Sequence, residues 1–382
     1  MNEKKVERVI FISNYFNHHQ KSFCEKMYKT LGKNFIFVET GKMSDMRKSL
    51  GYEIEIPPYV ISAPVVQKNL RVVIDAINKA DLVIAGTCPD FLIKERIQQD
   101  KLTFRYSERL FKKKAGIFKR IFHRIKMRKY PCSKNTYMLC AGAYVAQDYN
   151  RLGLFKDKCF KWGYFPETKK YDDVDTLISQ KTPNSIIWVG RLIDWKHPET
   201  AIDIAKMLRD DGYSFQMELI GEGELLGKIK DSVVKYNLED CVHILGSMKP
   251  SEVREHMEKS QIHIFTSDRQ EGWGAVLNEA MNSACVSIAS NVIGAAPFLV
   301  NNEENGFIYK FGKTKELYKI IKFLLDNKEK TRMYAKKAYE KIINEYNGEI
   351  AAKRIISLSN EFLNGEKMPQ AFEDGICSFL NK

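Results

Sequence analysis

An α/β fold of two doubly wound, parallel-sheet domains is what this sequence predicts, on three observations. Short β-rich runs alternate with longer helical patterns from end to end, the order that parallel sheets with crossover helices require. Several of these runs are apolar throughout rather than alternating, as in strands buried on both faces. The pattern also restarts near Ser185 after a polar stretch. A chain of 382 residues has room for two domains of about 170–190 residues each.

In the first half the expected strands are Val9–Ile12, Phe35–Val38, Val60–Ser62, Leu82–Gly86, Leu102–Tyr106, Tyr137–Ala141 and Cys159–Tyr164. In the second half they are Ser185–Gly190, Gln216–Gly221, Val242–Leu245, Ile262–Thr266, Val286–Ser290 and Phe307–Tyr309. The stretch 166–183, with Lys169-Lys170, Asp172-Asp173 and Thr182-Pro183, reads as a linker. The expected domains are therefore 1–165 and 184–368, with 369–382 as a closing helix. There is no internal repeat and no low-complexity segment.

Composition narrows the class. The chain is 44% hydrophobic and 29% charged, which excludes a wholly disordered or fibrous protein. No apolar run reaches the length of a membrane span, and Val9–Ile12 is too short for a signal peptide. Eight cysteines form no CxxC pair, so a reduced, cytoplasmic protein is expected.

The net charge of +13 is lopsided. Residues 1–165 carry 32 Lys and Arg against 15 Asp and Glu; the rest carry 29 against 33. Residues 109–147 hold no acidic side chain. Their centre sets Lys112, Lys113, Lys114, Lys119, Arg120, Arg124 and Lys126 around Ile117, Phe118, Ile121, Phe122 and Ile125, which fall on one helical stripe. Three readings are open: a helix whose stripe covers the core, a helix on an anionic membrane surface, and a nucleic-acid contact. The membrane reading is the preferred one, since each cation near such a surface adds about 1 kcal/mol. No zinc spacing, RNP motif or helix-turn-helix signature supports nucleic acid.

In open α/β sheets ligands lie beyond the carboxyl ends of strands, so the strand ends carry the search. After Ser185–Gly190, Arg191 and Lys196 place two cations on one loop, suited to phosphate. After Gln216–Gly221, Gly221-Glu222-Gly223-Glu224 allows close backbone approach, and the missing third glycine argues against a nicotinamide cofactor. After Ile262–Thr266 comes Glu271-Gly272-Trp273-Gly274-Ala275-Val276, then Glu279. The glycines make a turn into a helix start whose N–H groups and dipole suit a diphosphate. Glu271 can accept from sugar hydroxyls and Glu279 from a ribose diol.

Glu271 and Glu279, with Gly272 and Gly274 between them, resemble the E-x7-E motif of retaining family-4 glycosyltransferases of the GT-B fold. Gly190-Arg191-Leu192 with Lys196, and Gly221-Glu222-Gly223-Glu224, are similar to that family's two other carboxyl-domain motifs, in order and spacing. The resemblance implies two Rossmann-like domains facing a cleft. It implies donor diphosphate on Arg191 and Lys196, ribose on Glu279 and sugar on Glu271. Backbone amides would come from Trp273, Gly274 and Ala275, and the base would lie near Gly246-Ser247-Met248. It implies too that the chain's end crosses back to the first domain, with Met368-Pro369 as the crossing.

After the first strand many relatives have a glycine-rich loop; here Ser13-Asn14-Tyr15-Phe16-Asn17-His18-His19-Gln20 resembles a subgroup tied to bacterial capsule and O-antigen assembly. His18 and His19 are candidates to meet donor phosphate or acceptor, with Asn14 and Asn17 beside them. Glu108 or Ser107 stands where relatives often have a histidine near the donor sugar.

The expected activity is transfer of a sugar from a nucleotide-sugar, UDP-linked by preference, to a saccharide or lipid-linked saccharide, with retention. Leaving-group charge would fall on Arg191, Lys196 and the helix start, so no cofactor and no metal is called for; Asp173 and Asp175, the one acidic pair to consider, lie in the linker. The expected site is cytoplasmic, peripheral on the inner face of the membrane. The rival readings are another GT-B enzyme, such as an epimerase or phosphorylase, and a non-enzymatic basic module that binds a membrane or anions.

Overall fold

Strands form where the sequence offers continuous apolar runs. The computed structural model describes residues 3–43, 55–113, 116–127, 133–366 and 372–380, with nothing said of the side chains of Ile117, Lys119, Arg120 and Lys126. Among these the strands are β1 (Val9–Ser13), β2 (Phe35–Glu39), β3 (Val60–Ile61), β4 (Leu82–Ala85), β5 (Thr103–Ser107), β6 (Thr136–Ala141), β7 (Cys159–Trp162), β8 (Ser185–Val189), β9 (Gln216–Ile220), β10 (Val242–Gly246), β11 (Ile262–Phe265), β12 (Val286–Ser290) and β13 (Gly306–Tyr309). All thirteen expected runs are strands, with ends shifted by a residue or two.

The strands make two parallel sheets, ordered β3-β2-β1-β4-β5-β6-β7 and β10-β9-β8-β11-β12-β13. Registers such as Val9↔Phe35 and Val9↔Leu82 in the first, and Ile262↔Ile186 in the second, fix the central pairs. β1 and β4, β8 and β11 are fully buried or nearly so, which is why those runs are apolar at nearly every position, with Ser13, Ser185 and His263 the exceptions. Sequence order reverses between β1 and β4 and again between β8 and β11. At such points the following loops diverge and leave a crevice.

Two expected boundaries are corrected. Contacts divide the chain into one unit that ends at Glu167 and resumes at Tyr346, and another over Thr168–Glu345. The stretch read as a linker therefore belongs to the second unit from Thr168 on. Val174–Ser179 is a short helix capped by Asp173, Ile178 joins the core, and Tyr171, Val174 and Leu177 pack against it. Lys181 is buried, its ammonium donating to the carbonyls of Met257, Glu258, Ser260 and Ser283. Charged letters hid an amphipathic segment.

The return to the first unit comes at Tyr346, not at Met368-Pro369, which lie outside the described residues. Asn347 caps the helix Gly348–Leu363 through its side chain. A Cβ on Gly348 would stand 2.6 Å from the backbone nitrogen of Phe23, so glycine lets this helix lie on the helix His18–Leu31. Phe362 stacks on Tyr137 at 4.1 Å. Instead of a closing helix, the tail runs antiparallel beside β7, with Phe160 bridged to Phe379 and Cys377 N donating to Lys161 O at 2.8 Å. The seven described cysteines are all free.

Candidate functional site

The loops leaving β8 and β11 meet at the second reversal point. Leu192 N donates to Glu222 O and Asp268 N to Trp195 O, and the Thr266 hydroxyl donates to Lys196 O at 2.7 Å while accepting from Trp188 Nε1 at 2.9 Å. The Asp268 and Thr266 bonds lock the β11 loop to the β8 loop, and the Leu192 bond ties the β8 loop to the one after β9. Lys196 is ion-paired with Glu271 through Oε2, and the Ser267 hydroxyl donates to that oxygen at 3.0 Å. Both side chains are sheltered, at 13% and 12% exposure, so their attraction is little screened. The Arg191 guanidinium lies 5.7 Å from the Trp195 ring and the Lys196 ammonium 4.7 Å from it. Arg191, Trp195, Lys196 and Glu271 thus form one cluster, as the sequence places three of them; Trp195 was not singled out.

The glycines serve backbone approach. A Cβ on Gly221 would lie 1.9 Å from Gly190 O, and one on Gly223 2.3 Å from Leu192 O; both have positive φ. Gly223 was expected to meet the donor. What requires glycine there is the packing of the β9 loop on the β8 loop that carries Arg191. At Gly274, φ is 96° and a Cβ would strike Phe265 at 2.6 Å. Gly272 is buried beside it. Trp273 is fully buried, its Nε1 donating to Asn278 Oδ1 at 2.9 Å. The indole is therefore core, and what it can offer a ligand is backbone. Ala275 precedes the helix Val276–Asn282, with no side chain capping it.

Glu279 lies in the first turn of that helix. Burial pushes its carboxyl up to about 7, with the Arg254 charge opposing. Arg254 is held by Asn282, whose Oδ1 accepts from it at 2.9 Å. Met248 and Val276 both pack on the cluster around Ile220 and Ala280, whereas Ser247 is exposed. His197, also not anticipated, holds a left-handed conformation at φ 51°. Its Nδ1 lies 2.9 Å from Glu199 and its Nε2 3.8 Å from Asp268. The Glu199 hydrogen bond raises its pKa, against burial. Its place at a strand end was the one signal for it. Among the described residues no group of three or more His, Cys, Asp or Glu is set to hold a metal ion.

In the first unit, Asn17 is the N-cap of the helix His18–Leu31, accepting from His19 N at 3.0 Å. Asn14 accepts from the Ser13 hydroxyl at 3.1 Å, and its carbonyl accepts from Gly41 N. The rings of His18 and His19 lie 3.7 Å apart, and His19 stacks on Tyr164 at 5.3 Å. Glu108 accepts from the Tyr164 hydroxyl and from Lys112.

The basic segment forms a helix over Ile117–Met127. Its apolar stripe does not cover the core. Phe118 is 85% exposed, Phe122 63%, Ile125 59% and Ile121 48%, while Met127 packs inward and His123 lies against Phe111 at 6.0 Å. Lys113 and Arg124 are exposed; Lys112 is turned to Glu108. Lys114 lies outside the described residues, as do the side chains of Lys119, Arg120 and Lys126. Among the described residues no helix is long and apolar enough to cross a membrane.

A family model for group 1 glycosyl transferases matches residues 172–341. Over 181 residues the chain is 25% identical to the amylovoran biosynthesis glycosyltransferase AmsK of Erwinia amylovora, covering 46% of this chain and 44% of that one. It is 25% identical over 176 residues to the capsular polysaccharide biosynthesis glycosyltransferase CapM of Staphylococcus aureus, 46% of each. The matched stretch spans under half the length of these curated relatives. Among solved structures, HepE of Anabaena, crystallised with UDP, superposes with a TM-score of 0.68 at 15% identity, over 92% of this chain and 99% of that one. Sucrose-phosphate synthase of Thermosynechococcus elongatus gives 0.65 at 15% identity, over 94% and 99%. These likenesses establish the fold: two parallel-sheet, Rossmann-like units of the GT-B kind.

Proposed function

We propose that this chain is a retaining glycosyltransferase of family 4, moving a sugar from a nucleotide-sugar, UDP-linked by preference, to a saccharide or lipid-linked saccharide in surface polysaccharide assembly. The observation that carries the reading is the gathering of Arg191, Lys196 and Glu271 at the reversal point between β8 and β11. The similarity to group 1 glycosyl transferases over 172–341 supports it, as do relatives named for amylovoran and capsule synthesis.

When the bond from sugar to diphosphate breaks, negative charge grows on the leaving phosphate and positive charge on the sugar ring. Arg191 and Lys196 answer the first and Glu271 faces the second. Fixed cations then do what a bound divalent ion does elsewhere, so the transfer needs no metal and no cofactor. The donor diphosphate takes the Lys196 ammonium from Glu271 and frees that carboxylate for sugar hydroxyls. Glu279 holds the ribose, and Met248 with Val276 flanks the base. The exposed stripe of Ile117–Met127, with the cations of its segment, seats the protein on the cytoplasmic face of an anionic membrane, where a lipid-linked acceptor lies.

The test is calorimetric titration with UDP, GDP and their sugars, followed by NMR of the product formed from the donor that binds. Binding in the micromolar range and a product that keeps the donor's anomeric configuration are expected. Absence of affinity for every nucleoside diphosphate would sink the reading.

A further inference from the structure

Glu108 follows directly on β5 in the first sheet and is held from four directions. Its Oε1 accepts from the Tyr164 hydroxyl at 2.5 Å and its Oε2 from the Lys112 ammonium at 2.5 Å. The Tyr164 hydroxyl is in turn hydrogen-bonded to Tyr106, on β5 itself. The backbone is pinned as well: the Tyr149 hydroxyl donates to Ser107 Oγ at 3.0 Å, and Ser107 Oγ donates to Glu108 O at 2.7 Å. On the other side a sheltered pair ties the chain down, Arg109 lying 3.6 Å from Asp148, while Phe111 N donates to Asp148 at 3.0 Å.

The Glu108 side chain is nonetheless 26% exposed. A carboxylate has about four acceptor positions, and the Tyr164 and Lys112 bonds use two. What remains is a fixed, partly open acceptor at the carboxyl edge of a parallel sheet, where such folds take their ligands. A surface glutamate paired with one lysine is an ordinary feature. One whose rotamer and backbone are both set by tyrosines is preorganised, and preorganisation favours binding because less freedom is lost on contact.

We propose that Glu108 binds hydroxyls of the acceptor saccharide and that Tyr164 is the residue that positions it. This rests on the glycosyltransferase reading, with the acceptor identified by its chemistry as a sugar bearing free hydroxyls. The carboxylate accepts from one or two of those hydroxyls. The Tyr164 hydroxyl, itself hydrogen-bonded to Tyr106, keeps one carboxylate oxygen from rotating away, and the Lys112 ammonium holds the other.

The experiment uses the full chain saturated with UDP. Saturation-transfer NMR measures binding of octyl β-glucoside, octyl β-galactoside and octyl β-N-acetylglucosaminide to the wild type, Tyr164→Phe and Glu108→Gln. We expect at least one glycoside to bind the wild type. Each variant should bind it about tenfold more weakly, the scale of a lost charge-assisted hydrogen bond. Melting temperature and UDP affinity should stay as in the wild type. The phenylalanine keeps the ring packed on His19, so a merely structural role would move melting and spare glycoside binding. Binding of no glycoside by the wild type overturns the proposal, as do variants that bind like the wild type or lose UDP affinity and melting temperature together with glycoside binding. Failure of the wild type to bind UDP instead removes the transferase reading, so the two arms separate the claims.

Discussion

The Lys196 ammonium rests on the Glu271 carboxylate, and that oxygen also accepts from the Ser267 hydroxyl. The two residues expected at opposite ends of the donor's breaking bond are each other's partners. Two sheltered charges compensate one another this way at a low desolvation cost compared with either alone. Removing one side leaves the other poised for a ligand. Glu271→Gln should therefore keep UDP affinity within about threefold or strengthen it, while transfer falls by about 10²–10³. Lys196→Met should weaken UDP by tenfold or more. Calorimetry and initial rates on the same preparations decide it; a glutamine variant with near-normal turnover removes Glu271 from the chemistry.

Arg191 gives a second, independent check on where positive charge comes from. Its guanidinium is exposed and steadied by the Trp195 face, so Arg191→Ala should leave the fold intact and lower the rate by about 10²–10³. If the fixed cations suffice, prior treatment with EDTA should leave the wild-type rate within about twofold. A rate that collapses with EDTA and returns with magnesium or manganese would place a metal in the reaction.

Glu279 predicts a pH dependence. Burial holds its carboxyl at about 7, against an ordinary glutamate near 4.5. A ribose diol donates to the ionised form, so UDP affinity should rise as pH increases from 6 to 8, and Glu279→Gln should flatten that rise. Stability runs the other way. Folding raises this pKa, so the cost of ionising this partly buried group grows as pH climbs from about 4.5 to 7 and is constant above. Above pH 7, Glu279→Gln should melt higher than the wild type while binding UDP less well. Parallel pH profiles of affinity and melting test both signs.

Much of this fold was legible because strands buried on both faces have few polar positions to blur them. Val9–Ile12 and Ile186–Val189 announce themselves, and so does the loop after Gln216–Ile220, since Gly221 and Gly223 stand where its backbone nearly touches that of Gly190 and Leu192. What was illegible depends on partners distant in sequence. Lys181 reads as a linker lysine until four carbonyls from 257–283 surround it. Tyr346-Asn347-Gly348 was not singled out in the sequence. It marks the return to the first unit because Gly348 meets Phe23, 325 residues away in the chain. Asn17 was read as a candidate ligand residue; its role as a cap, accepting from His19 N two residues on, was not read from the sequence.

Arg96 predicts where the first unit is most vulnerable. It is fully buried and donates to Thr103 Oγ1 and to the carbonyls of Ile77, Ala80, Asp81 and Leu102. Burial draws its guanidinium down to about 10, with Asp81 opposing. Those carbonyls end a helix and flank two strands, so one side chain ties three elements. Arg96→Met leaves several buried acceptors without a donor and should cost about 3 kcal/mol or more. Urea unfolding measures this; a loss under 1 kcal/mol would mean water replaces the guanidinium.

The helix Ile117–Met127 predicts how the protein meets lipid. Phe118, Ile121, Phe122 and Ile125 recur at the spacing of one helical stripe and all face outward, while residues 109–147 carry no acidic side chain to oppose an anionic surface. Cations alone would give adsorption that salt abolishes. Inserted phenylalanines add apolar burial of about 1.5–3 kcal/mol each, which salt leaves intact. Phe118→Asp with Phe122→Asp should therefore lower partitioning onto vesicles of phosphatidylglycerol and phosphatidylcholine by at least about 30-fold, with residual binding that vanishes in 0.5 M salt. Charge reversal at Lys119, Arg120 and Lys126 should weaken binding most at low salt. UDP affinity should be unchanged in both, since these residues lie in the other unit from Arg191 and Lys196. Unaltered vesicle binding in the double aspartate variant would take the membrane away from this stripe.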